Sequence, residues 1–167
     1  SDQHSKDYDE LKIKPRPSLA DHTGAVRYGG FNDHRGGGHF SGRLTAPLVF
    51  AGAVCEHILL EKGIKVGAHI YSIGDVCDIP FDEKISSDTV EELMNSNFPV
   101  CDKQAEEKMR EVISDAKMSA DSIGGVIECC VLGVPAGLGD PIFQSAESII
   151  ASMLFSVPAV KGVEFGK

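Results

Sequence analysis

No CxxC pair occurs among the five cysteines, Cys55, Cys77, Cys101, Cys129 and Cys130, and their number is odd. That argues against a disulfide framework and against the common zinc and redox spacings. The five read as reduced, mostly buried thiols of a cytosolic protein, and no metal site is expected. Long apolar runs are also missing. The longest, Ala46–Val54 and Ser148–Val157, fall far short of a bilayer span, so no membrane partner is expected. The opening residues lack the charged-then-apolar pattern of a signal peptide. They are polar and acidic, and read as a loop or as a start in mid-protein. Positive charge is scarce. The net charge of -9 argues against nucleic acid as a partner. No Walker A loop and no Rossmann fingerprint is found, nor any repeat of fixed period.

The charge is unevenly placed. Residues 12–43 carry Lys12, Lys14, Arg16, Arg27, Arg35 and Arg43 against Asp21 and Asp33, for a net of +4. A basic segment in an acidic chain suits either a small-anion site or a solvated basic loop.

Residues 1–43 lack periodicity, and prolines flank Arg16. They read as a long irregular segment, of the kind that is functional or disordered. A helix is expected over 45–62, with Thr45 as N-cap, Pro47 in the first turn and Gly63 as the stop. A strand is expected over 64–74, a short helix at Thr89–Asn95 capped by Asp88, and an amphipathic helix over 102–118 capped by Asp102. A β-rich run at 122–134 reads as a buried strand. A helix over 145–156 follows, ended by Pro158, and Val160–Phe165 alternates as a last strand. His57 and His69 fall in helix and strand patterns as core or boundary residues. The order of elements indicates an αβ protein, and the fold class expected is α+β. The whole of 1–167 reads as a single domain, with ligand-binding loops in 1–44 and the alternating helices and strands of the core in 45–167.

One segment carries chemistry. Arg35-Gly-Gly-Gly-His-Phe-Ser-Gly-Arg43 runs straight into the helix at Thr45. Glycines let backbone N–H groups approach a ligand closely. A helix start adds unpaired donors and partial positive charge. Arg35 and Arg43 add full charges, and Ser41 a hydroxyl. Together these suit an anion, while the bland alternative is a flexible surface loop.

The segment Gly36 to Thr45, followed by Ala51-Gly52-Ala53, is similar to the signature of the chorismate synthases. Arg16-Pro17-Ser18-Leu19-Ala20-Asp21, then Tyr28-Gly29, resembles an upstream block of that family. Gly133-Val134-Pro135-Ala136-Gly137-Leu138-Gly139-Asp140-Pro141-Ile142-Phe143 and Phe155 to Gly166 resemble two more. The resemblance implies the family's β-α-β sandwich core, incomplete in this chain. It also implies a lyase of the shikimate pathway, which feeds aromatic amino-acid biosynthesis. That enzyme makes chorismate by 1,4-anti elimination of phosphate from 5-enolpyruvylshikimate 3-phosphate, with reduced FMN. It leaves open whether NADPH reduces the flavin. By resemblance His39, Phe40 and Ser41 fall where the family holds FMN. Arg16 and Arg43 fall where it sets arginines against the substrate's phosphate and carboxylate. Arg27 and Arg35 read as rim or structural charges, and Asp21 as an orienting group. A cytoplasmic homotetramer is implied.

Two departures stand out. Leu19 occupies the position of a family histidine that handles a proton near the flavin, and leucine can neither transfer a proton nor hydrogen-bond. The family's Gly-Glu-Ser-His-Gly segment and its C-terminal Arg-x-Asp motif also do not occur in this sequence. The resemblance therefore implies a longer parent chain, and inactivity for this piece by itself. The alternative reading is an impaired or truncated paralogue that only binds ligand or assembles.

Overall fold

A computed structural model describes residues 8–166. The acidic opening therefore lies mostly outside the described residues. The chain separates into two compact units. One comprises the described parts of Ser1–Ala53 and Leu138–Lys167, and the other is Val54–Gly137.

The Val54–Gly137 unit is built on a three-stranded sheet. Strand β1 (Lys65–Ile73) lies between β2 (Val76–Cys77) and β3 (Gly125–Leu132), antiparallel to both. Lys65 pairs with Leu132 and His69 with Glu128, and a bulge between Ile70 and Ser72 shifts the register beyond. Two helices cross between β2 and β3 in sequence: α3 (Ser87–Met94) and α4 (Lys103–Met118). Each starts on a side-chain cap. Ser86 accepts from the Thr89 N–H, and Asp102 from the Gln104 N–H. These satisfy donors that a helix start leaves unpaired, each contributing about 1 kcal/mol. The cap of α3 is thus Ser86, where Asp88 was expected. Asp88 lies in the first turn, where its charge favours the helix dipole.

Ile64, Val90, Leu93, Ala105 and Met109 make the core of this unit, with Val90 and Met109 fully buried. Gly67 explains how α3 sits so low on β1. A Cβ there would come within 2.5 Å of Val90 Cγ1. The amphipathic pattern expected of α4 holds in part: among its apolar residues Ala105 and Met109 are buried, while Ile113 is exposed.

In the other unit, α1 (Asp21–Arg27) interrupts the segment expected to be irregular. A 3₁₀ stretch covers Arg35–Phe40, and another covers Gly42–Leu44. Local hydrogen bonding outweighs the weak periodicity, since the Gly24 and Tyr28 N–H groups donate to Ala20 and Gly24 carbonyls one turn back. Helix α5 (Ala146–Leu154) starts at Ser145, whose hydroxyl accepts from the Ser148 N–H. Val160–Phe165 forms no strand, because no described strand pairs with it.

Helix α2 (Thr45–Glu61) lies where expected and stops at Gly63, which takes φ +76°. Thr45 is not its N-cap: it already has helical φ/ψ of -67° and -24° and its hydroxyl donates to the Gly42 carbonyl, while the side-chain cap is Ser41, one 3₁₀ turn earlier. It is apolar around its whole circumference, and none of its residues is buried. With the preceding turn it makes a 20-residue helix, Gly42–Glu61, of mean hydropathy 1.4. By length and composition that helix could cross a membrane, in contrast to the expectation from uninterrupted apolar runs. A core helix of a folded protein has the same properties.

The cysteines are also more open than expected. Cys55, Cys77, Cys101 and Cys129 are exposed and Cys130 is intermediate. Strand β3 alternates between exposed and half-buried positions where a fully buried strand was expected. An apolar run signals burial only where some element covers it. Among the described residues none covers the outer face of β3.

Candidate functional site

The basic segment folds around its glycines. Gly36, Gly37 and Gly38 take φ of +59°, +80° and +52°, the left-handed region that glycine alone enters freely. At Gly36 a Cβ would collide with the Arg43 guanidinium, and at Gly38 with the Asp33 carbonyl oxygen. The loop therefore curls tightly over Arg43, with no side chain of its own in the way. Ser41 ends the curl in an extended conformation, and its hydroxyl accepts from the Arg43 N–H at 3.4 Å. The Thr45 hydroxyl donates to the Gly42 carbonyl at 2.8 Å and ties the loop to α2.

Beside this curl is a cleft of about 260 Å³ lined by Tyr8, Arg16, Leu19, Asp21, Gly36, Phe40 and Ser41, among others. A second hollow of about 100 Å³ shares Asp21, Gly37 and Phe40, and adds Lys12, Asp33 and His34. Pockets for whole small ligands run from roughly 300 to 1,000 Å³, so the larger cleft suits part of a ligand.

Arg16 is held firmly. Its Nε and Nη2 donate to the two carboxylate oxygens of Asp21 at 2.8 and 3.0 Å, and its backbone N–H donates to the same group at 3.0 Å. The Tyr8 ring lies 5.9 Å from the guanidinium carbon. The Arg16 side chain, then its backbone N–H, hold the Asp21 carboxyl down at about 2, so it stays ionised in any ordinary medium. Asp21 thus orients Arg16, and a fork so fixed presents its outer edge to a ligand at little entropic cost. Arg35 makes a similar fork to Asp33, which also titrates at about 2, chiefly through the Arg35 side chain.

Of the residues singled out in the sequence, Arg16, Leu19, Phe40 and Ser41 meet on one cleft. His39 and Arg43 do not line it. His39 is exposed beyond the curl. Arg43 lies behind Gly36, with Nη2 donating to the Arg35 carbonyl at 3.4 Å. Arg43 forms no ion pair among the described residues, so its charge is available to an anion. Phe40 packs its ring on Gly24, where a Cβ would come within 2.7 Å of Cε2, and lies 6.5 Å from the Tyr28 ring. Leu19 places an apolar side chain on the cleft wall, half exposed. Ser18 before it takes φ +62°, a strained value for a residue with a Cβ, costing about 1 kcal/mol.

The chorismate synthase family model matches residues 1–167, the whole of the sequence. The chain belongs to the chorismate synthase family. It is 45% identical over 166 residues to the chorismate synthase of Pyrococcus abyssi, covering 99% of this chain and 45% of that protein. It is 43% identical over 163 residues to the chorismate synthase of Dehalococcoides mccartyi strain 195, covering 97% of this chain and 44% of that protein. A crystal structure of a chorismate synthase superposes with a TM-score of 0.73 at 32% identity, over 88% of this chain and 46% of that one. The α+β fold expected from the sequence is the fold of that structure. The chain spans less than half the length of the curated relatives it matches.

Proposed function

We propose that the polypeptide containing these residues is a chorismate synthase, a carbon-oxygen lyase. It would eliminate phosphate from 5-enolpyruvylshikimate 3-phosphate, with reduced FMN as cofactor. The observation that carries this reading is the family match along the whole chain, together with the cleft that gathers Arg16, Gly36, Phe40 and Ser41. The residues fit a phosphorylated ligand. The glycine curl packs closely over the Arg43 guanidinium, and the arginines on either side of it suit anions.

In this reading residues 1–44 supply the ligand-binding loops, and 45–167 the helices and strands of the core. His39, Phe40 and Ser41 hold FMN, in part through backbone. Arg16 and Arg43 take the substrate's phosphate and carboxylate, with Asp21 fixing Arg16 for the purpose. Phe40 excludes water from the cleft wall. FMN held by these residues would, when reduced and bound, supply the electron density that the elimination calls on. Leu19 keeps its part of the cleft apolar, so proton transfer there falls to a group outside this cleft. The assembled enzyme is a cytoplasmic homotetramer with no nucleic-acid partner.

The test is anaerobic turnover of 5-enolpyruvylshikimate 3-phosphate with reduced FMN. It uses the polypeptide of its relatives' length that contains these residues, with Leu19 and with Leu19→His. Both forms should make chorismate. The histidine form should be the faster, by up to about 10²-fold, at the lower end of what general acid–base groups contribute. Absence of chorismate from both forms sinks the proposal.

A further inference from the structure

Away from the glycine curl, His69 is fully enclosed in the Val54–Gly137 unit. Its Nδ1 lies 2.9 Å from Asp78 Oδ2, and its Nε2 lies 2.8 Å from Glu128 Oε2. The Phe81 ring packs against the imidazole at 4.3 Å between centroids. Cys101 Sγ lies 3.9 Å from Nδ1, on the same side as Asp78. Donor atoms of His69, Asp78 and Cys101 all fall within 4.8 Å of one another. Nothing in the site on the other unit uses this cluster.

We propose that His69 Nδ1, Asp78 Oδ2 and Cys101 Sγ form a zinc site, with a fourth position left to water. The donor set decides the metal. A borderline imidazole and a soft thiolate beside one hard carboxylate favour zinc over the hard cations magnesium and calcium. The spacing is close to that of a tetrahedral centre. Zinc bonds of about 2.0–2.3 Å put neighbouring donors about 3.3–3.8 Å apart. The Nδ1···Sγ separation of 3.9 Å lies about 0.1 Å beyond that range. The Nδ1···Oδ2 hydrogen bond of 2.9 Å has to open by about 0.4 Å to reach that range.

The surroundings are those of a metal centre. A ligating histidine usually donates its other ring N–H to a carboxylate, which fixes ring orientation, and Glu128 stands in that place. Glu128 is itself fixed by the Phe81 N–H at 2.9 Å. Asp78 is aimed by the N–H groups of Cys101 and Asp102, at 2.6 and 2.9 Å. His69 and Asp78 are buried, whereas Cys101 is exposed and gives an ion its way in. Burial, then the Asp78 and Glu128 charges, push the Cys101 thiol up, so the metal-free site keeps its thiol proton. Binding exchanges protons for the ion. Cys101 gives up its thiol proton to solvent, Nδ1 binds through its lone pair with any proton it displaces also passing to solvent, and no redox change occurs.

The test uses the polypeptide containing these residues, stripped of metal by chelation and titrated with Co²⁺ and then Zn²⁺. A thiolate-to-cobalt charge-transfer band should grow to saturation at one ion per chain and bleach on adding zinc. An indicator dye should report proton release as zinc binds. Cys101→Ser should remove the band and weaken zinc binding at least tenfold, whereas Cys77→Ser should leave both unchanged. Alkylation mapped by mass spectrometry needs no variant: zinc should protect Cys101 in the unaltered protein. The proposal is overturned by the absence of a charge-transfer band, by its survival in Cys101→Ser, or by equal alkylation of Cys101 with and without zinc.

Discussion

Gly36→Ala is the most informative single change at the glycine curl. Gly36 has φ +59°, and an alanine there costs about 1–2 kcal/mol from backbone strain alone. The new methyl would also meet the Arg43 guanidinium, so Arg43 must swing away from the Arg35 carbonyl it donates to at 3.4 Å. Stability should therefore fall by about 2 kcal/mol, read as a lower midpoint in urea or heat. Ligand binding should suffer separately. A hydrogen bond to a charged group contributes roughly 1.5–3 kcal/mol, so affinity for 5-enolpyruvylshikimate 3-phosphate, read by equilibrium binding, should drop about tenfold or more. Two further variants isolate the cause. Gly42→Ala has open space around its Cβ and should change neither quantity. Arg43→Ala should weaken substrate binding by itself, and adding Gly36→Ala to it should weaken binding little more, since both act through one guanidinium. A Gly36→Ala protein that binds the substrate as tightly as the original, or additive losses in the double variant, would refute the account of Arg43 as an anion-binding charge.

Asp21→Asn should remove the Arg16 fork, at about 1 kcal/mol for a partly exposed pair, and raise the KM for the phosphorylated substrate. Because Asp21 titrates at about 2 against an ordinary 3.8, its contribution is complete above about pH 4 and is lost as pH falls toward 2. Urea midpoints measured across that window should fall less steeply with acid in Asp21→Asn than in the original. In the other unit, Gly67→Ala drives a methyl into Val90 Cγ1 and should cost about 1–3 kcal/mol by thermal unfolding. Val90→Ala introduced alongside should recover part of that loss.

Much of the secondary structure was legible in local patterns. Helix α4 and its Asp102 cap, strand β1, and the Gly63 stop of α2 all follow from spacing and capping chemistry, whereas the helix start falls to Ser41 and not to Thr45. Where patterns were weak, local hydrogen bonding won, as in α1 and the 3₁₀ turn at Arg35–Phe40. Val160–Phe165 shows the opposite failure, since alternation suits a strand but cannot supply a partner to pair with. Burial was the least legible property. Cys129 and the outer face of β3 look like core by composition, yet remain open.

At the candidate sites the division is sharper. By itself the sequence determined the family, the basic glycine segment, and the presence of Leu19 where the family has histidine. These are properties of short contiguous blocks, which need no fold to be read. Only the tertiary structure brought Arg16, Leu19 and Ser41 to one cleft, locked Arg16 onto Asp21, and set Arg43 behind Gly36. It alone closed His69, Asp78, Cys101 and Glu128 into one cluster. Those residues are far apart along the chain and carry no motif. Their meeting depends on strand register, which pairs His69 with Glu128, and on the N–H groups at the start of α4 that hold Asp78 in place.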